Sequence, residues 1–441
     1  MKKASNLIEI SQVFDPQKVL TLKDKDLHQD IYESTIKPLK MKLLINQIPS
    51  KTFFICGQIG MGKSTALNYL PDDKINKKFD VKYLTGRELF AINDIDIIDI
   101  LLMLGFELIK DTSLEDRYYE GLNKLKDINL ETLKISKEQT WDFENDKEER
   151  KEIGAKLNLL VSKFDGKVFK NLKMNERERQ SIREIFSIDK ANLIDFINDI
   201  ISDYKNEVMQ KDKDLLLIID DLEKISDKNI IKKVFVDDNW VFHKINCVKI
   251  IPIHIFLPRT YSMFNNDLID FDFRIEANKL DKSELSKEEK AKIDTNINTL
   301  KNLIKARLID EKFISEDAYT EIIKYSGGNI RQLIEIIYQA SINQLTISDM
   351  EGTVITIEDV KWGVSEISNR LSKAADSKIR LLTQVAKHHK LFDVPTEKDL
   401  EDFDSLLLDN LIFFHKNGTH WYDVNPIIQK TVEVYAKSDN N

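Results

Sequence analysis

Residues that break a regular backbone are scarce in this chain of 441, which has 13 glycines and 8 prolines. So few turn formers exclude a turn-rich all-β protein and favour a helix-rich one. Cysteine is nearly absent. Cys56 and Cys247 each lie in an apolar run with no CxxC or Cys/His spacing around them. That excludes a disulfide framework or a thiolate zinc site and leaves two reduced core thiols. The seven histidines show no metal spacing, and His388-His389 falls in a polar stretch where solvated rings are expected. No apolar stretch approaches the roughly 20 residues that span a bilayer. The first six residues are not followed by a signal-type apolar block. A cytoplasmic protein with no membrane partner is expected. Positive charge is in deficit as well: 66 Lys and Arg stand against 75 Asp and Glu, a formal charge of −9. A uniformly basic, DNA-coating surface is excluded, while a local basic patch stays open.

What is present is length, charge and helical periodicity. The chain exceeds what one small core fills and points to two or three domains. Residues 28–48 carry apolar positions at helical spacing (Ile31, Ile36, Leu39, Leu43, Leu44). A short strand follows at 52–56, then a glycine loop and a helix over 63–70. A second strand is predicted at 79–84 and a helix within 89–108. Residues 110–208 are charged and nearly free of glycine and proline. They read as a helical insertion, either a solvated bundle or an arm that binds a partner or forms oligomers. Leu215–Ile219 is a continuous aliphatic run, as a central parallel strand requires. Further strands are predicted at 248–257 and 271–277. Together these give an α/β sheet of about five parallel strands.

From Ser286 onward the pattern is helical. Ser286 and Glu289 form a capping box, a second helix over 315–325 stops at Gly327-Gly328, Asn329 can cap a third, and Thr356 with Asp359 starts a fourth. After about residue 370 come short helices, then two strand-like runs around Asn417-Gly418, a hairpin signal. Trp421 and Tyr422 in that hairpin are expected in the core.

The chemistry is concentrated in Gly57-Gln58-Ile59-Gly60-Met61-Gly62-Lys63-Ser64, followed by Thr65. This is GxxxxGK[ST] in full, between a strand and a helix. Glycines let backbone amides turn inward toward phosphates, Lys63 bridges the β- and γ-phosphates, and Ser64 places its hydroxyl on Mg²⁺. The aliphatic run ends in Asp220-Asp221. Asp220 suits Mg²⁺ directly or through its water shell, and Asp221 sits where a water-activating carboxylate is wanted. Asn278-Lys279-Leu280-Asp281 spells a guanine-reading N-K-x-D, but no buried strand precedes it and no glycine follows the 220–221 acids. ATP is therefore expected over GTP.

With these residues in place the chain resembles the AAA+ ATPases, and among them the origin-recognition and helicase-loader type. It shares features with the STAND signalling ATPases. The resemblance covers most of the chain outside the insertion. It implies a P-loop NTPase parallel sheet with a helical insertion, a helical lid and a C-terminal winged helix: an ATPase core over 1–284, a lid over 285–370 and a winged-helix-like domain over 371–441. Segment 326–335 looks like a sensor 2 motif, which would make Arg331 the lid arginine that reports on the γ-phosphate. Two departures stand out. Asp221 replaces the usual glutamate and would stand farther from a water, so hydrolysis is expected to be slow. No clear sensor 1 residue follows the 248–257 strand; Thr260 is a candidate, and Arg259 is a candidate arginine finger toward a neighbouring subunit.

Residues 371–441 hold slightly more acids than bases. Duplex affinity depends on phosphate neutralisation, so a protein-contacting or autoinhibitory role is favoured there over DNA reading. The functions implied are an ATPase that assembles through its core as a homo-oligomer and acts on DNA or a separate protein partner, a nucleotide switch with little turnover (antiviral defence among its settings), or a scaffold acting through the insertion.

Overall fold

The computed structural model describes residues 2–86, 94–140, 176–273, 275–276, 286–350, 354–392, 394–417 and 419–438. Residues 141–175 of the expected insertion and the tetrapeptide 278–281 singled out in the sequence lie outside them.

The sheet comprises β1 (Thr52–Cys56), β2 (Phe79–Thr85), β3 (Asp214–Asp220), β4 (Val248–Ile253) and β5 (Leu268–Asp270). Their order is β2-β3-β4-β1-β5, with parallel pairing, so the fold is the expected α/β architecture with five parallel strands. Leu215 to Ile219 are buried throughout, as a strand covered on both faces demands. Two strand expectations need correction. The last strand is not 271–277 but Leu268–Asp270, which pairs with Phe54–Cys56. Phe271 adds one more bond, from its amide to the Cys56 carbonyl (2.7 Å), where the ladder ends. The strand expected to run to Leu257 stops at Ile253, because Pro258 sits in the first turn of a short helix, Leu257–Thr260, where a missing amide is harmless.

The chain divides into two compact units: residues 1–43, 54–72 and 252–441, and residues 44–53 and 73–251. In the second, the described part of the insertion is helical, as expected (Glu115–Thr140, Glu176–Ser187, Lys190–Asp203). It follows a nearly all-apolar buried helix, Ile97–Ile109, whose start is capped by Asp96 and Asp99. Arg183 bridges Asp94 (2.5 Å) and Asp99 (2.6 Å), and Arg179 joins Asp94 (2.8 Å). Each guanidinium thus offsets carboxylate charge held partly out of water.

In the first unit, four helices follow Ser286: Lys287–Lys305, Glu316–Ser326, Ile330–Ile347 and Ile357–Ala375. Ser286 and Asn329 cap the first and third with side-chain oxygens, as expected, and Ser315, expected as the first residue of the second helix, is its cap instead. The N-terminal helix Leu7–Val13 packs on Ile330–Ile347. The C-terminal segment comprises Ile379–His388, Glu397–Leu408, an antiparallel hairpin of β6 (Ile412–Asn417) and β7 (Thr419–Val424), and Gln429–Ser438. Trp421 and Tyr422 are buried, as expected.

Candidate nucleotide site

The phosphate loop belongs to the first unit. Gly60 (φ +92°) and Gly62 (φ +85°) hold left-handed backbone, a conformation that costs side-chain-bearing residues about 1–2 kcal/mol. Gly62 caps the helix Lys63–Asn68, which sets Lys63, Ser64 and Thr65 on its first turn. Lys63 is buried, and its ammonium donates back to the carbonyls of Gly57 (2.8 Å) and Gln58 (3.0 Å), so the cation lies against the loop itself.

Residues at the start of helix Ile330–Ile347, together with Tyr32, hold the same loop. The Arg331 amide donates to the Gly60 carbonyl (2.9 Å), the Asn329 side-chain amide donates to Ile59 (2.8 Å), and the Tyr32 hydroxyl donates to Met61 (2.5 Å). A Cβ on Gly60 would come within 2.5 Å of Asn329 Oδ1. The start of helix Ile330–Ile347, with the expected sensor 2 residue, is therefore bonded to the phosphate loop by main chain.

The C-terminal segment reaches the loop through Gln58, which is 4% exposed. Its Nε2 donates to the Ile412 carbonyl (2.5 Å), and its Oε1 accepts from the Phe414 amide (3.1 Å). One side-chain amide thus satisfies both backbone groups of β6 at that edge. Gln332, on helix Ile330–Ile347, and Asn425, beyond β7, exchange two further bonds (3.0 and 2.8 Å). Arg259, the candidate arginine finger, pairs with Asp404 of its own chain and stacks over Phe403 at 4.9 Å. Thr260 closes the short helix that carries Arg259 and is exposed.

Beside Gly62 and Thr65 opens a cleft that the motifs did not reveal, lined by His28, Tyr32, Arg307 and Ile330 among others. Arg307 is 4% exposed, donates Nη1 to the Leu303 carbonyl (2.8 Å), and has its pKa pushed down to about 10 by burial. Burial likewise lowers the pKa of His28, whose ring stacks on Tyr69 at 3.7 Å. A signal for Arg307 did exist: Leu300, Leu303 and Ile304 form an apolar stripe, and position 307 continues it. The glycine geometry, the buried lysine and this donor-bearing cleft suit a nucleoside triphosphate.

In the second unit, Asp220 ends β3 and is 2% exposed. Tyr83 of β2 donates its hydroxyl to Asp220 Oδ2 (2.6 Å), while Oδ1 is buried and accepts no hydrogen bond among the described residues. A buried carboxylate oxygen with open lone pairs fits Mg²⁺ or its water shell. Asp221 has left-handed backbone (φ +71°) and is ion-paired with Lys224. Glu223, two residues on and missed in the sequence, is also buried. Burial, then the Asp220 charge and, more weakly, the Glu223 charge raise the Tyr83 pKa, so that hydroxyl stays protonated.

No family model matches the sequence, and no curated protein does. Among solved structures, the chain is similar to Cdc6p from Pyrobaculum aerophilum (13% identity, 97% of this chain and 98% of that one, TM-score 0.39). It is similar to the Aeropyrum pernix ORC2 protein (11%, 97% and 98%, TM-score 0.41) and to a Walker-type ATPase of Pyrococcus abyssi (13%, 96% and 99%, TM-score 0.43).

Proposed function

We propose that this chain binds ATP with Mg²⁺, hydrolyses it slowly in the manner of AAA+ and STAND ATPases, and uses its nucleotide state to control a partner. Loop residues 57–65 hold the phosphates, with Lys63 on the β- and γ-oxygens. The base and ribose enter the cleft beside Gly62, where Arg307 donates to a ring or sugar acceptor. Ser64 and Asp220 are the residues that would hold Mg²⁺, which supplies charge neutralisation on the phosphates. Asp221 orients the attacking water, and Arg331 offsets charge on the γ-phosphate. The observation that carries this reading is the loop itself: left-handed Gly60 and Gly62, a buried Lys63, a lid bonded to Ile59 and Gly60, and Tyr32 bonded to Met61.

The C-terminal segment, read as a winged helix, serves as the output. Gln58 ties it to the loop, so a change in loop geometry on binding would be transmitted to β6. A homo-oligomer and a separate effector protein fit this output role, and DNA is disfavoured by the acidic charge. A second reading, a switch with little turnover, is favoured by the Asp221–Lys224 ion pair, which occupies the expected water-activating acid.

The test is phosphate release from ATP by the wild type, Lys63→Ala, Asp221→Asn and Glu223→Gln. Turnover lost in Lys63→Ala and Asp221→Asn but kept in Glu223→Gln supports the assignment. Turnover lost in Glu223→Gln with Asp221→Asn active transfers the water to Glu223. Tight ATP binding without turnover leaves the switch.

A further inference from the structure

We propose that Tyr83 is a positioning residue for Asp220, locking its carboxylate so that a single oxygen, Oδ1, serves the divalent cation. This rests on the reading of Asp220 as a Mg²⁺ residue and adds a group no motif contains. The strands place the pair. On β2 and β3, Thr85 lies opposite Asp220. Tyr83, two residues before Thr85, points to the same face, because side chains alternate along a strand. The tyrosine ring is long enough to run diagonally along that face, and its hydroxyl meets Oδ2 at 2.6 Å.

The consequence is geometric. A carboxylate rotates readily about its last torsion, presenting either oxygen or both. With Oδ2 accepting the Tyr83 hydroxyl, rotation would break a hydrogen bond to a buried charge. Oδ1, which has no hydrogen-bond partner among the described residues, is then held in a fixed direction. Partners of this kind orient metal ligands, and their removal typically costs about 10–100-fold in metal affinity. The strand β2 also supplies an internal control: its Asp80 accepts at Oδ2 from the Tyr204 hydroxyl (2.9 Å), another tyrosine–carboxylate bond in this unit that does not involve Asp220.

The experiment measures ATP affinity in EDTA and across a Mg²⁺ titration for the wild type, Tyr83→Phe, Tyr204→Phe and Asp220→Asn, with thermal melts to verify folding. Tyr83→Phe should leave affinity in EDTA unchanged and raise the half-saturating Mg²⁺ concentration about tenfold, while Tyr204→Phe titrates as the wild type does. Asp220→Asn should abolish the Mg²⁺-dependent gain. Tyr83→Phe titrating within about twofold of the wild type, beside a Mg²⁺-insensitive Asp220→Asn, overturns the role of Tyr83 alone. An equal shift in Tyr204→Phe overturns it too, by showing general loosening. Wild-type Mg²⁺ dependence in Asp220→Asn overturns the underlying reading of Asp220. Should Tyr83→Phe fail to fold, Tyr83→His, which keeps a ring donor, must give an intermediate Mg²⁺ shift, and a wild-type titration there counts against the proposal.

Discussion

Replacing Gln58 with leucine should release the C-terminal hairpin from the phosphate loop while leaving the loop's glycines and lysine in place. Leucine keeps the bulk of the side chain and removes both polar atoms. The two short hydrogen bonds that carry the attachment, to the Ile412 carbonyl and from the Phe414 amide, are lost together with a long one (3.5 Å) to the Leu407 carbonyl, and the backbone groups stay behind at a buried edge. Each bond contributes about 1 kcal/mol net, so the attachment should weaken by about 2 kcal/mol, roughly thirtyfold in its opening equilibrium. Hydrogen exchange reads this directly. Phe414 lies opposite Tyr422 in the hairpin, yet its amide bonds outward to Gln58 Oε1. Its protection should therefore fall about thirtyfold in Gln58→Leu, while amides on β3 keep theirs. Unchanged protection at Phe414 would refute the claim that Gln58 holds the hairpin.

Other substitutions follow from the same geometry. Gly60→Ala combines left-handed strain with a close approach to Asn329 and should lower ATP affinity about tenfold or more, read by equilibrium binding. Arg307→Met should keep or raise thermal stability, since a buried cation disappears, but weaken ATP binding about tenfold; binding of inorganic tripolyphosphate, which has no base, should be unchanged. Lys249 is fully buried on β4, donates to the carbonyls of Ser50, Ile245 and Cys247, and has its pKa pushed down to about 8 by burial. Between about 8 and the ordinary lysine value the unfolded chain binds more protons, so this residue makes stability rise with pH across that window. Denaturant unfolding at pH about 8 and about 10 should show a flatter dependence in Lys249→Met than in the wild type.

The sequence revealed most where short-range rules decide the outcome. Strands β1 and β3, the loop between Gly57 and Ser64, and the caps at Ser286 and Asn329 depend on neighbours within a few residues. Pairing over long separations was less legible. β5 formed at Leu268–Asp270 rather than 271–277 because Phe54–Cys56 supplies its partners, and residues 54 and 268 are too far apart for periodicity to register them. Gln58 looked like one more loop residue; that its side chain turns to β6 depends on a segment some 350 positions later. Tyr83 carried no signal, since a strand tyrosine normally reads as packing. Arg307 did carry one, a charge continuing the apolar helical stripe of Leu300, Leu303 and Ile304.

The central claim is that the Gly57–Ser64 loop holds the phosphates of ATP, and equilibrium binding of ATP with Mg²⁺ to the wild type and to Lys63→Ala tests it most directly. Saturable binding by the wild type that weakens at least about tenfold without the Lys63 ammonium is the expected result, since a charge-assisted contact to phosphate contributes about 1.5–3 kcal/mol. Equal affinity in the two proteins, with both folded, would contradict the claim.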